Sequence, residues 1–495
     1  MMRPMGLAGP EREARGATTV VAESRRGAQA QEEPAVNVLV IAWCPHEPDR
    51  VGEIAVVPPA GAVHVLGRGA EPGAARLHFF RPRPGALHPT PPLAAPGLSR
   101  RQLEVEPAAD RVAVRRVGQC PMRVNGVECD SATLRPGDTL RFRQELVLYF
   151  ARRPARISPL QHFDARTARF GEPDAAGILG ESPRAWELRD RIAFAAKAEG
   201  HVLLVGETGT GKELAARAVA LLSARADKPL VARNAATLPG TLVDAELFGN
   251  ARNYPNPGMG ERPGLVGQAD GGFLFLDEIG ELPTDLQAHL LRTMDAGGEY
   301  HRLGESSSRR SDFRLLAATN RDPAELKDDF RARFRVQVPV PALAERREDI
   351  PLLVRHLVLR AAAKSPNVAE RFVETRAEGE ARARVDTSLV DALTRRSFPG
   401  NTRELESILW TAMAASRGDV IEWHAAAAER QAAPPPAANA REKPNASRHP
   451  EPSEEEIRAA LGEANGNVSR AATALGMSSR YALYRLMARM GIQGK

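Results

Sequence analysis

"HVLLVGETGTGKE", His201 to Glu213, decides the reading of this chain. The apolar strand His201 to Val205 runs into Gly206, Glu207, Thr208, Gly209, Thr210 and Gly211, followed by Lys212. Glycines let backbone N–H groups turn toward phosphate oxygens, the following helix presents its positive end, and Lys212 adds a charge at the β and γ phosphates. This is the pattern of a Walker A loop. Ser or Thr usually follows the lysine and touches magnesium; here Glu213 stands there, so the metal must lean on other ligands. "GFLFLDEIG" offers them: a buried strand ending in Asp277, suited to Mg2+ through water, and Glu278, suited to polarising the attacking water. Loop and acidic strand in this order imply ATP and Mg2+ as cofactors.

Outward from this centre, 495 residues are too many for one core, and three domains are expected. Lys and Arg number 68 against 62 Asp and Glu, a mild excess that permits nucleic-acid contact without arguing for it. Three cysteines, Cys44, Cys120 and Cys129, have neither the number nor the spacing of a disulfide framework or zinc site and read as reduced thiols. No apolar run approaches the ~18 residues of a membrane span, and the N-terminus lacks a signal-peptide core. A cytoplasmic protein is expected.

Composition shifts mark the joints. Residues 1–35 mix Arg, Glu, Ala and Gly without periodicity and are expected to be disordered. From Val36 to about 155, runs such as "VNVLVIA" and "DRVAVRRV" alternate with Pro and Gly turns, predicting an all-β module. Residues 160–424 alternate helical patterns with short apolar strands, predicting an α/β domain. A Pro- and Ala-rich linker over 425–452 leads to a helical tail over 453–495.

The words around the two motifs resemble the AAA+ domain of bacterial enhancer-binding proteins, the sigma-54-dependent activators. "ILGESP" from Ile178, "GETGTGKELAARAV" with its glutamate after the lysine, "DGGFLFLDEIGELP", "LLAATNRD" and "FPGNTRELES" match the family's opening, Walker A, Walker B, sensor I and sensor II segments in order. The resemblance covers about Gly177 to Trp423. It implies an α/β ATPase subdomain over 177–346, a helical lid over 347–424 and a hexameric ring. By position, Asn320 would sense the γ-phosphate, Arg403 would be the sensor II residue, and Asn234 in "ARNAATLP" the asparagine that switches Glu278. The family's arginine fingers are two arginines six residues apart. Here "LKDDFRARF" puts Lys327 at the first position and Arg333 at the second, with Arg331 close by. A lysine lacks arginine's planar fork, which makes slow hydrolysis an expectation.

In the β module, "VLGRG", "LSRRQ" and "VNGVEC" recur in the order of a forkhead-associated (FHA) domain. That resemblance implies that Arg68, Ser99, Arg100 and Asn125 hold a phosphothreonine and its peptide backbone, donors suited to a dianionic phosphate. Gln102 replaces the family's histidine, and a Pro-rich insert, Glu71 to Gly97, separates the first two motifs. At the other end, Ser453 and Glu456 read as a capping box, with Ile457, Ala460 and Leu461 on one helical face. "NGNVSRAATALGMS" and "ALYRLMARMGI" resemble a Fis-type helix-turn-helix, which implies DNA contact through Ser479, Arg480, Tyr481 and Arg485 and a two-fold partner.

"FGNARNYPNPGMGERPG", Phe248 to Gly264, departs from the family. Enhancer-binding proteins carry there the loop Gly-Ala-Phe-Thr-Gly-Ala that touches sigma-54. Counting without a gap fills the six positions with Asn253, Tyr254, Pro255, Asn256, Pro257 and Gly258. Length is kept, but two prolines fix φ and remove donors, and the aromatic stands one residue early. Three functions remain open: a sigma-54 activator with phosphopeptide input, DNA tethering and remodelling of RNA polymerase; a DNA-binding regulator independent of sigma-54; and a phosphopeptide scaffold whose ATPase only gates assembly.

Overall fold

The structure is a computed structural model that describes residues 34–69, 75–107, 111–238, 243–295, 298–375, 381–423, 454–463 and 475. The chain divides into two compact units, Met1–Ala428 and Glu429–Lys495.

The first unit opens with a sandwich of twelve strands. They are β1 (Ala35–Trp43), β2 (Ile54–Val57), β3 (His64–Leu66), β4 (Phe80–Arg83), β5 (Ala86–Pro89), β6 (Leu103–Pro107), β7 (Val112–Arg116), β8 (Met122–Val124), β9 (Val127–Glu128), β10 (Ser131–Leu134), β11 (Thr139–Phe142) and β12 (Leu146–Pro154). One sheet has the order β5-β4-β2-β1-β12-β11-β8-β9 and the other β10-β7-β6-β3, paired antiparallel. The Pro-rich insert contributes the β4–β5 hairpin.

The larger sheet is buried on both faces. Along β1, Leu39 and Ile41 join the sandwich core with Leu103, Val105, Phe142 and Phe150, while Val38, Val40 and Ala42 point the other way into a second core. On β12, Leu146, Leu148 and Phe150 face the first core, and Val147 and Tyr149 the second. This is the two-residue period of a strand with no solvent face.

The central sheet carries β13 (Val202–Val205), β14 (Leu230–Asn234), β15 (Phe273–Asp277), β18 (Arg314–Thr319) and β19 (Val336–Pro339) in the parallel order β14-β15-β18-β13-β19. A small hairpin, β16 (Glu299–Tyr300) and β17 (Arg309–Arg310), projects between β15 and β18 in sequence. Helices α1 (Pro183–Lys197), α2 (Lys212–Leu221), α3 (Val243–Phe248), α4 (Gly264–Gln268), α5 (Thr284–Met294) and α6 (Asp328–Ala332) accompany it. Ser182 caps α1 by accepting from Ala185 N, with Pro183 in the first turn. The lid follows as α7 (Ile350–Lys364), α8 (Pro366–Ala369), α9 (Thr387–Arg395) and α10 (Asn401–Ala415).

The second core of the β sandwich is the lid's own core. Leu353 and Leu357 of α7, Leu389, Val390 and Leu393 of α9 and Leu405 and Leu409 of α10 share one apolar cluster with Val38, Val40, Trp43, Ile54, Val147 and Tyr149. Polar contacts rim it. Thr139 Oγ1 donates to Asp391, Thr387 Oγ1 donates to Arg143 O at 2.6 Å, Arg153 pairs with Glu348 at 2.8 Å, and Arg355 donates to Pro48 O at 2.8 Å.

A strap, residues 155–182, ties sandwich to ATPase. Glu181 is buried there, accepting from Gly171 N at 2.8 Å and Trp186 Nε1 at 3.1 Å, with Arg83 3.9 Å away. Burial pushes its carboxyl from 4.5 up to about 7, against the Gly171 hydrogen bond and the charges of Arg189 and Arg83. An acid raised on folding favours the fold most fully below its unfolded value, and that contribution is lost as pH rises toward 7. At about 1.4 kcal/mol per unit the loss is about 3 kcal/mol. Glu181→Gln is therefore expected to melt above the wild type at pH 8, with the gap closing toward pH 5. Melting curves across that range check it, and a pH-independent gap counts against the buried acid.

In the second unit, one helix, Glu454–Glu463, is described, with Ile457 and Ala460 buried on one face.

Candidate nucleotide site

The loop after β13 and the C-terminal ends of β14 and β15 meet the start of α10 around a cleft of about 510 Å³. Its lining includes Thr208, Gly209, Thr210, Gly211, Lys212, Glu213, Asn234, Asp277, Glu278 and Arg403, so the sequence motifs converge on one site. Strand ends of a parallel sheet leave such a crevice open for ligands.

Gly209 and Gly211 hold φ of 78° and 100°, the left-handed region that lets the loop curl into the N-terminus of α2. A Cβ on Gly209 would stand 2.2 Å from Gly400 O. The glycine thus serves both the phosphate loop and its contact with the lid. Lys212 Nζ donates to the carbonyls of Gly206 and Glu207 at 2.8 and 2.9 Å. Desolvation lowers its pKa, opposed by Asp277 and Glu278 and reinforced by Arg403. Asp277 is raised, first by burial, and accepts from Glu278 N at 3.0 Å. Glu278 itself sits at φ 53° beside it. Glu213 turns to Arg217 at 2.7 Å along α2.

Asn320 Nδ2 donates to Thr208 Oγ1 at 3.1 Å, so the sensor I strand touches the loop. Arg403 stands on the first turn of α10. Sequence reasoning missed its neighbour Asn401. Fully buried at φ 50°, it donates to Glu207 Oε2 at 2.9 Å and Thr208 O at 3.1 Å and accepts from Leu343 N at 2.8 Å. Its place in "FPGNTREL" was visible, but its role depends on a contact 194 residues away in sequence. Asn234 lines the cleft, but its oxygen caps its own turn by accepting from Ala236 N at 2.8 Å, and no bond joins it to Glu278. Arg333 is paired with Asp295 at 2.7 Å, Arg331 with Asp328 at 2.8 Å, and Lys327 is exposed before α6.

Residues 178–340 match the sigma-54 interaction domain family, and residues 344–443 the AAA+ ATPase lid domain. The chain is 38% identical over 252 residues to the transcriptional regulatory protein ZraR of Salmonella typhimurium, spanning 50% of this chain and 54% of that protein. Against ZraR of Salmonella typhi the identity is 36% over 318 residues, 63% of this chain and 68% of the relative. Against the nitric oxide reductase transcription regulator NorR1 of Cupriavidus necator it is 37% over 382 residues, 70% of each chain. The chain belongs to the sigma-54-dependent regulator family. Its core is that family's AAA+ P-loop NTPase domain with a lid.

The stretch that counting along the sequence matched to the family's output loop folds as a compact knot. Asn250 and Arg262 close it by exchanging backbone hydrogen bonds at 3.1 Å, and buried Asn250 Nδ2 donates to the carbonyls of Ala251, Tyr254 and Gly260 at 3.0, 3.3 and 3.0 Å. Within the window, Asn253 N donates to Met259 O at 2.9 Å and Gly258 N to Asn253 Oδ1 at 2.9 Å. Pro255, Asn256 and Pro257 are exposed at the turn. The Tyr254 ring lies on Gly304, where a Cβ would stand 2.4 Å from it.

In the sandwich, Arg68 N donates to Ser99 O at 3.0 Å, bringing Arg68, Ser99 and Arg100 together, with both arginine side chains exposed. Arg76, missed in the sequence, staples these loops by donating to Gly67 O at 2.9 Å and Arg100 O at 3.3 Å. Gln102, fully buried, accepts from Ser99 N at 3.2 Å and donates to Cys120 O at 2.7 Å. Asn125 is turned inward: its amide donates to Asp138 at 2.8 Å and its oxygen accepts from Thr139 N at 3.1 Å. The adjoining Gly126 faces Arg395 of α9. Ser479, Arg480, Tyr481 and Arg485 lie outside the described residues. Among the described residues no helix is long and apolar enough to cross a membrane.

Proposed function

We propose that this chain is an ATP-dependent, DNA-binding transcriptional regulator whose nucleotide cycle acts on RNA polymerase. The observation that carries the reading is the convergence of Lys212, Asp277, Glu278 and Arg403 from three separate segments at one cleft, with Asn320 of a fourth bonded to Thr208 in its wall. Lys212 and the N–H groups of the loop hold the phosphates, Glu278 orients the attacking water, and Asn320 and Arg403 respond to the γ-phosphate.

Mg2+ fits as an ion shared with the nucleotide. Among the described residues no three His, Cys, Asp or Glu gather into a cage, and a hard cation bound by one carboxylate and phosphate oxygens needs none. Asp277 would hold it, and it would neutralise phosphate charge. Arg333, on the edge of the subunit's α5–α6 region, serves as finger to a neighbour in a hexameric ring. Arg68, Ser99 and Arg100 take a phosphothreonine at the sandwich, with Asn125 bracing its loop. The C-terminal segment binds a specific DNA site through Ser479, Arg480, Tyr481 and Arg485, as a dimer or higher assembly.

A second reading is favoured by the knot at Asn250–Arg262: regulation without sigma-54. A loop that touches its partner by extending needs freedom, whereas this one spends three donor contacts of Asn250 on its own carbonyls. The expected result is that the purified protein binds a specific DNA fragment but forms no complex with sigma-54 when trapped by a transition-state analogue of ATP. A stable trapped complex would overturn the second reading and leave the sigma-54 activator.

A further inference from the structure

Separate segments meet at one end of the β sandwich. Arg68 N donates to Ser99 O at 3.0 Å, Gln119 N donates to Ser99 Oγ at 3.0 Å, and Gly97 N donates to Glu145 Oε2 at 2.9 Å. Glu145 belongs to the tight turn between β11 and β12, residues 143–145, where its own N–H donates to Phe142 O at 2.9 Å. Phe142 pairs with Met122 across β11 and β8, so Arg143 leaves the sheet beside Pro121, close to Gln119. Arg68, Arg100 and Arg143 are all exposed at this end. Burial pushes the Cys120 thiol up and the charge of Arg143 opposes it, which puts that charge on the Gln119–Pro121 side of the turn. Asn125 braces the opposite end of β8, through Asp138 and Thr139, and leaves this end to other donors.

The lid holds the turn that carries Arg143. Arg143 sits at φ 42°, uncommon for a residue other than glycine, so its backbone must be fixed from outside. Thr387, fully buried on the first turn of α9, donates from Oγ1 to Arg143 O at 2.6 Å and from its backbone N–H to Gln144 Oε1 at 3.1 Å. The Gln144 amide donates in return to Asp386, the N-cap of α9. Past the other end of α9, Arg396 donates to Glu404 Oε1 at 3.4 Å, and Glu404 Oε2 accepts from Gly400 N at 2.9 Å. Gly400 and Asn401 touch the phosphate loop at Gly209 and Thr208. One helix thus has the β11–β12 turn at its start and the phosphate loop just beyond its end.

We propose that the lid completes the phosphopeptide site: Thr387 positions Arg143 as a third arginine facing the anionic ligand beside Arg68 and Arg100, and α9 links occupancy of that site to occupancy of the nucleotide cleft. The proposal takes the phosphopeptide reading of the sandwich as given. A phosphate dianion has more acceptor sites than one guanidinium can fill, and each further fork adds charge-assisted bonds. Linkage is reciprocal: if bound peptide moves the turn and α9 with it, nucleotide at the far end of α9 changes peptide affinity by the same factor.

The test uses the full chain with Mg2+, a non-hydrolysable ATP analogue, and a peptide pool with one fixed phosphothreonine in degenerate flanks, the unphosphorylated pool serving as control. In the wild type the phosphorylated pool is expected to shift analogue affinity by about fivefold or more, and the analogue to shift pool affinity equally. Arg143→Met is expected to bind the phosphorylated pool about tenfold more weakly, with melting temperature and peptide-free analogue affinity unchanged. Thr387→Val keeps the shape and removes the hydroxyl donor; it is expected to bind the analogue alone as the wild type does, with the linkage cut to within about twofold. Pool binding by Arg143→Met within about twofold of wild type, or wild-type analogue affinity indifferent to the pool, would overturn the proposal. Arg68→Ala is expected to lose the phosphorylated pool; if it binds as wild type does, or the wild type does not distinguish the two pools, the phosphopeptide reading itself fails.

Discussion

Glu278→Gln is expected to lower ATP turnover by a factor of about 100 or more while leaving ATP affinity near that of the wild type. The carboxylate follows Asp277 at the end of β15, held at φ 53° with its backbone N–H donating to Asp277. Under the proposed function the two adjacent acids divide the work: Asp277 would hold the metal and Glu278 would orient the attacking water. The amide keeps size and hydrogen-bonding reach but cannot take a proton, so chemistry is lost and binding stays. Phosphate release and equilibrium ATP binding, measured on the same preparation, separate the two. Equal turnover in variant and wild type would leave the domain as a nucleotide-gated assembly unit, the scaffold function left open by the sequence.

Asp391→Ala is expected to loosen sandwich and lid together. Asp391 is buried on α9, accepts from Thr139 Oγ1 of β11, lies 3.7 Å from Arg141 Nε and is 3.3 Å from Arg395 Nε. The aspartate is the counter-charge that makes a half-buried arginine tolerable at the junction, since among the described residues Arg141 Nε makes no hydrogen bond and has only this ion pair. Removing one partner of a buried pair costs about 3–5 kcal/mol, because the other charge stays behind in low dielectric. In a unit of this size, at about 2.1 cal/mol/K per residue, that corresponds to a fall in melting temperature of about 4–6 °C. Proteolysis is expected to cut the variant between sandwich and lid. A shift within about 2 °C and an unchanged digestion pattern would mean that the apolar cluster alone holds the junction.

The ATPase fold and its phosphate end were legible because each motif is local: a glycine loop, an acid-tipped strand and a capped helix each declare their chemistry within a dozen residues. The order of Lys212, Asp277, Glu278, Asn320 and Arg403 along the chain therefore sufficed to gather them. Asn401 was not found, since nothing near it in sequence reports that its partner is Glu207 in the phosphate loop. Asn125 and Asn234 were placed near their expected loops, yet their side chains close local turns, a choice between two hydrogen-bonding routes that spacing does not decide. The junction between sandwich and lid did leave a sequence signal. "VNVLVIA" and "LVLYF" are apolar at successive positions, and a sheet with one wet face would alternate. Those runs announce a second covering layer without naming it.

That junction changes what kind of sensor the β sandwich can be. A domain on a loose tether reports its ligand by being present or absent, and its position carries no information. Val40, Tyr149 and Leu393 share one core, so the sandwich must turn when the lid turns. Each nucleotide step at Gly209 and Gly400 would swing an arm larger than the lid itself. A probe fixed to the outer sheet, on β7 or β10, would read the stroke of the motor from the far side of the molecule.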